Sequence, residues 1–249
     1  MTTRAEEIFF EVFEPLPRQG PGSLACTRRA LSLCRELPAS PRVLDLGCGS
    51  GSQTLHLASL TTGSILAIDR HPPLIERLNA KSAEQGLSGR VEARIGDMSA
   101  LDLPAESFDL VWSEGALYNL GLETALPMCA GLLRPRGHLA FTEAVWRTTD
   151  APSAVREAFA DYSTMGQIED VVPLFETHGL SLVEHFDLPD EAWWDDFYTP
   201  MERQIEALRV KYAGDAEALS ALDELAQEPE MHRHSGHHYG YTFFVARRA

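Results

Sequence analysis

Short apolar runs alternate with helical patterning along most of the chain. The run Val43-Leu44-Asp45-Leu46 reads as a strand buried on both faces. Gly47-Cys48-Gly49-Ser50-Gly51 follows at once. Glycine reaches positive φ and carries no Cβ to hold a ligand off the backbone. Ser52, Gln53 and Thr54 then open a helix whose free N–H groups face the turn. A second strand, Ser64–Asp69, leads to Pro72 and Pro73 in the first turn of a helix. Leu74, Ile75 and Leu78 form that helix's inner face, and Gly86 stops it. Further strands are expected at Arg90–Asp97, at Phe108–Ser113 and in a segment ending at Phe141–Trp146. Upstream, the aromatic-rich stretch Ile8–Phe13 is expected to pack on the domain or to lid its pocket. Arg18–Gly22 is a turn, and Ser23 caps a helix running to about Leu37 with the stripe Ala30, Leu33, Cys34, Leu37.

Two helices are expected between Asp150 and His178, then a strand at Leu180–Phe186 and a last strand at Tyr239–Ala246. Roughly fifty residues separate those two strands, far beyond an ordinary loop, so the segment reads as a functional insertion. Met201, Ile205, Leu208 and Tyr212 share one helical face; Asp215 caps another helix carrying Leu219, Leu222 and Leu225. Trp193, Trp194, Phe197 and Tyr198, at the start of the insertion, fit either an apolar or cation-binding wall or an anchor of the insertion on the core. Strands alternating with helices predict an α/β fold. The chain is read as one domain over 1–249, with a core of about 23–146, 167–187 and 239–249 and a helical cap of about 188–238 over the pocket.

A formal net charge of −16 argues against neutralisation of nucleic-acid phosphates. The four cysteines lack zinc or disulfide spacing, and no apolar run is long enough to span a membrane. The first residues show no signal-peptide pattern, so a cytoplasmic location is expected, with neither nucleic acid nor membrane as partner. His232, His234, His237 and His238 form a cluster that raises a metal hypothesis. Without paired cysteines or a clear carboxylate geometry no metal is assigned. The segment is expected to be the loop feeding the last strand at the pocket rim, with His238 as a candidate proton acceptor.

Asp69 lies eighteen residues past Gly51, at a strand end, where an acid suits a ribose diol. The dinucleotide fingerprint G-x-G-x-x-G is not met, because Ser52 stands where its third glycine belongs. The pattern Asp45-x-Gly47-x-Gly49-x-Gly51 instead resembles the first motif of class I S-adenosylmethionine (SAM) methyltransferases. So do the run Asp102–Asp109, with its "LP…FD" lead into a strand, and Leu132–Leu139, similar to a helix–"LKPGG"–strand connection in which Arg136 replaces the first glycine. The resemblance covers about residues 40–146 by motif, plus the last two strands by pattern. It is nearest to the small-molecule branch that includes ubiquinone/menaquinone-type and glycine/sarcosine-type enzymes.

The resemblance implies a Rossmann-like, seven-stranded, mostly parallel sheet with an antiparallel last strand, helices on both faces, and SAM as cofactor. It places Arg18, Gln19 and Gly20 at the methionine end. Asp45 would support the glycine turn (Gly47, Gly49, Gly51) through backbone N–H bonds and approach the SAM ammonium. Asp69 and Arg70 follow at the ribose, and Asp97 and Met98 at the adenine. Glu114 is assigned to both cofactor and chemistry. Glu114 and Glu143 are candidates for general base or acceptor-cation binding, and Tyr118 for orienting the acceptor. The expected reaction is in-line methyl transfer to an O, N or C nucleophile of a small molecule, by a monomer or homodimer. A nucleotide-cofactor oxidoreductase and a non-catalytic SAM-binding regulator are the competing readings.

Overall fold

A computed structural model describes residues 3–160, 162 and 165–249. Helix α1 (Arg4–Phe13) starts at a capping box in which Thr3 Oγ1 accepts the Glu6 N–H and the Glu6 carboxylate accepts the Thr3 N–H. Helix α2 (Leu24–Leu33), capped by Ser23, stops short of the expected Leu37. Leu37 precedes Pro38 and is disfavoured in helical backbone, and Glu36 turns the chain at φ +64°.

The strands and helices then alternate: β1 (Arg42–Leu46), α3 (Ser52–Leu60), β2 (Ser64–Asp69), α4 (Pro72–Glu84), β3 (Val91–Ile95), β4 (Phe108–Glu114), α5 (Leu122–Leu132) and β5 (Leu133–Trp146). After α6 (Ser153–Ala158) and α7 (Ile168–Thr177) comes β6 (Leu180–Asp187). The single turn α8 (Glu191–Trp193), a π-helical turn (Trp194–Tyr198), α9 (Thr199–Lys211) and α10 (Ala216–Ser235) precede β7 (Tyr239–Arg248). The seven strands form one sheet in the order β3-β2-β1-β4-β5-β7-β6. β7 runs antiparallel to both neighbours, and the pairs between β3 and β5 are parallel. Strand order reverses between β1 and β4, which opens a crevice at the carboxyl ends of these strands.

Alternation along the strands separates two cores. Val43, Ile65, Trp112 and Phe243 face α1, α2 and the helices α9 and α10. Leu44, Val111, Phe141 and Phe244 face α5 and α7. α1 is tied to α9 and α10: Lys211 Nζ and the Tyr212 hydroxyl donate to Glu11, and Arg4 donates to Asp215.

Two expectations are corrected. The residues read as a connection ahead of the fifth strand already belong to β5, whose register against β4 shifts between Phe108 and Leu110. Arg136 adopts φ +67° at the place of the family's glycine, and its exposed side chain pairs with Glu36 at 2.6 Å. The histidine segment is not a loop throughout: α10 runs to Ser235 and carries His232 and His234 on its last turns.

Candidate active site

The crevice between β1 and β4 deepens into a cavity of about 640 Å³. Its floor is the glycine turn. Gly47, Gly49 and Gly51 stand at φ +68°, +52° and +83°. A Cβ on Gly47 would lie 2.2 Å from that of Ala116, and one on Gly49 would lie 2.8 Å from Gln19 Oε1. Gly51 is different. It caps α3 away from the cavity, where a Cβ would strike Leu78 Cδ1 at 2.2 Å, so its need for glycine comes from helix packing.

Gln19 latches the segment after α1 to this turn. Its Oε1 accepts the Ser50 N–H at 2.8 Å, and its Nε2 donates to the carbonyls of Phe13 and Leu16. Ser50 and Ser52 hydroxyls both donate to the Pro17 carbonyl. Gln19 and Gly20 line the cavity.

The two strand-end carboxylates occupy one wall. Asp69 accepts the Gly49 N–H at 2.8 Å on Oδ2 and the His71 N–H at 2.9 Å on Oδ1. Each of its oxygens keeps a lone pair for a ligand. Asp97 caps the short turn Met98–Ala100; its Oδ1 accepts both the Ser99 N–H and hydroxyl, which holds the carboxyl below its ordinary range. Its Oδ2 has no such partner. Met98 and Arg70 line the same wall.

Asp45 sits behind the site. It is fully buried, takes hydrogen bonds from Thr54 Oγ1 at 2.5 Å and Gln53 Nε2 at 3.5 Å, and is pushed up to about 7 by burial. The expected backbone N–H bonds are replaced by these side chains of α3. Asp45 therefore reaches the turn only through Gln53, which also donates to the Cys48 carbonyl.

Glu114, expected as a base, is held by three donors. Arg18 Nη2 lies 2.6 Å from Oε2, while Trp112 Nε1 and Thr27 Oγ1 lie 2.9 and 3.1 Å from Oε1. The pair is almost wholly buried, with side chains 4% and 1% exposed. A carboxylate so engaged positions Arg18, and both of its oxygens are already taken by protein donors. Among the described residues the buried Nη1 of Arg18 has no partner, and Arg18 lines the cavity.

Glu143 and His238 are not brought to the cavity. Glu143 shares the sheet face of Phe141 and Val145, opposite the crevice, because strand side chains alternate. Both its oxygens are buried without partners, and burial pushes its carboxyl up to about 8. His238 Nδ1 bonds the Thr148 hydroxyl at 2.7 Å, outside the cavity lining. His232 stacks on Trp193 with ring centroids 4.3 Å apart and bonds Tyr239 and Asp190. Among the described residues, no three His, Cys, Asp or Glu side chains are grouped to hold a metal.

The far half of the cavity is aromatic. Tyr118 stacks on Tyr162 at 4.1 Å, and the Tyr162 hydroxyl meets that of Tyr241 at 3.3 Å. Tyr241 stacks on Trp193 at 5.2 Å, and Tyr198 bonds Glu228. Sequence reasoning did not single out Tyr162, Tyr241 or Glu228 for this site. The alternation Tyr239-Gly240-Tyr241 at the start of the last strand was a usable signal for Tyr241; the other two carry none.

A glycine turn at the reversal of a parallel sheet, with acidic residues on the next two strand ends, defines a nucleoside-cofactor site of the α/β type. Residues 43–137 match the family model described as a methyltransferase domain. The chain is 30% identical over 163 residues to methyltransferase GfsG of Streptomyces halstedii, covering 63% of this chain and 59% of that one. It is 26% identical over 173 residues to the uncharacterized methyltransferase YodH of Bacillus subtilis, covering 69% and 72%. The fold superimposes on a SAM-dependent methyltransferase from Geobacter sulfurreducens, solved with S-adenosyl-L-homocysteine, with TM-score 0.83, 21% identity and 98% of each chain covered. Residues 43–137 are thus similar to a methyltransferase domain, and the fold of the chain is that of SAM-dependent methyltransferases. The domain match favours methyl transfer over the oxidoreductase reading.

Proposed function

We propose that this chain transfers a methyl group from SAM to a small-molecule acceptor enclosed beneath α9 and α10. The observation that carries the reading is the continuity of one cavity from the glycine turn to the aromatic wall. The residues at the turn fit an adenosyl sulfonium. Asp69 takes the ribose diol, and the free oxygen of Asp97 takes the adenine amino group beside Met98. The unpartnered Nη1 of Arg18 fits the methionine carboxylate, with Glu114 keeping the guanidinium in place.

Bound SAM supplies a methyl group already activated on a positive sulfur. The protein's work is then alignment and exclusion of water, which contributes on the order of 7–11 kcal/mol. Phe10 and Phe13 of α1 close one side of the cavity, and Tyr198 and Phe197 close another. Tyr118, stacked on Tyr162, orients the acceptor.

Titration calorimetry with SAM, S-adenosylhomocysteine and NAD tests the cofactor. SAM and its product bind and NAD does not. Asp69→Ala weakens SAM binding by about 1.5–3 kcal/mol, the range for hydrogen bonds to a charged group. Unchanged affinity removes the ribose assignment. Incubation with methyl-labelled SAM and a metabolite extract tests turnover; absence of labelled product from every extract favours a non-catalytic SAM-binding protein.

A further inference from the structure

Among the described residues, the aromatic half of the cavity contains one carboxylate, Glu228, carried on α10. Its Oε1 accepts the Tyr198 hydroxyl at 3.0 Å. Among the described residues no basic side chain pairs with it. The titratable groups that feel its charge are the phenols of Tyr162, Tyr198 and Tyr239. The basic residues of the cavity lie elsewhere: Arg18 is committed to Glu114, His71 to Glu14, and Arg70 stands beside Asp69.

A carboxylate in such a place lacks a counter-charge, and burial already raises its affinity for a proton. Tyr198 bonds it, and the linked rings of Tyr162, Tyr241 and Trp193 line the same cavity. Aromatic faces attract cations, most strongly when water is excluded. An anionic acceptor would meet only repulsion here, and a neutral one would leave Glu228 uncompensated.

We infer that the acceptor is a cationic amine, its ammonium seated among these rings, with Glu228 receiving the proton the nitrogen must lose before it attacks. The inference rests on the proposed methyl transfer and names its substrate class. An N–H proton moves to the Glu228 carboxylate and leaves a lone pair on nitrogen. That pair forms the N–CH3 bond as the S–CH3 bond breaks, and the bonding electrons stay on sulfur as a neutral thioether. The methylated nitrogen carries the positive charge, so charge and atoms balance.

The test is calorimetry on the full chain saturated with S-adenosylhomocysteine, using benzyltrimethylammonium, benzyl alcohol and benzoate. The cation binds at least tenfold tighter than the alcohol, and benzoate binds weakest. Glu228→Gln removes the cation's advantage while affinity for S-adenosylhomocysteine stays within about twofold and thermal melting confirms folding. Equal affinity for cation and alcohol, undetectable binding of the cation, or an undiminished preference in Glu228→Gln overturns the inference. If Glu228→Gln does not fold, the ranking in the unmodified protein decides alone. Failure of S-adenosylhomocysteine itself to bind overturns the methyl-transfer reading instead.

Discussion

Arg18→Met tests the buried ion pair. Arg18 and Glu114 have side chains only 4% and 1% exposed, so solvent screens little of their interaction. Removing one member of such a pair strands the other as an uncompensated charge, at about 3–5 kcal/mol. Glu114 would keep Trp112 and Thr27 as neutral donors at 2.9 and 3.1 Å, so Arg18→Met falls near the low end, about 3 kcal/mol. Glu114→Gln removes the countercharge and leaves the buried guanidinium with neutral acceptors such as the glutamine oxygen and the Gly20 carbonyl at 3.3 Å, and its loss lies nearer about 5 kcal/mol. Against a total stability on the order of 5–15 kcal/mol, both are large. The double variant removes both charges and recovers most of the loss. Urea denaturation followed by circular dichroism, on all four proteins, gives the coupling energy. Single losses below about 1 kcal/mol, as for a solvent-screened pair, would refute the reasoning. So would a double variant that loses the sum of the two.

Glu143 makes stability fall as pH rises. Its carboxyl titrates near 4.5 in the unfolded chain and near 8 when folded, so between those values the native state holds more protons. The slope reaches about −1.4 kcal/mol per pH unit in that window. Glu143→Gln therefore raises the urea midpoint at pH 8 far more than at pH 5; equal shifts at the two pH values would count against it. Gly51→Ala combines left-handed backbone with the approach to Leu78, and lowers stability by about 2–5 kcal/mol. Gly86→Ala, at φ +69° with open space around it, loses only the backbone part, about 1–2 kcal/mol, and thermal or urea melting compares the two.

What could be read in the sequence was local. Val43–Gly51 announces a strand and a turn because buried apolar residues and glycines act through their own backbone. The number of strands and the antiparallel sense of the last one followed from the same patterning together with the family resemblance. What could not be read depends on residues far apart in the chain. Glu114 could be read as a base, a cation-binding group or a cofactor contact because Arg18, ninety-six positions away, gives no local sign of reaching it. Glu143 looked like a site residue because it stands near a strand's functional end; alternation turned its side chain to the opposite face. The histidines from His232 onward seemed a loop, yet the stretch before Ser235 continues α10, and His232 is spent on Tyr239 and Asp190. Glu228 sits among ordinary helical glutamates, and only the three-dimensional meeting with Tyr198 sets it apart.

The segment from α8 to α10 leaves the sheet after Asp187 and returns at Tyr239, on two strands that lie side by side. Its two ends are thus anchored together on one edge, while the glycine turn is built near the middle of the sheet. Exchange of this excursion would replace Trp193, Phe197, Tyr198 and Glu228 in the cavity wall, but the carbonyls of Ala192 and Asp196, which accept the Gly22 and Arg18 N–H groups, must be kept to hold the turn beside the glycines. Chimaeras grafted at these two junctions and keeping those two contacts offer a route to altered acceptor choice above the same glycine turn.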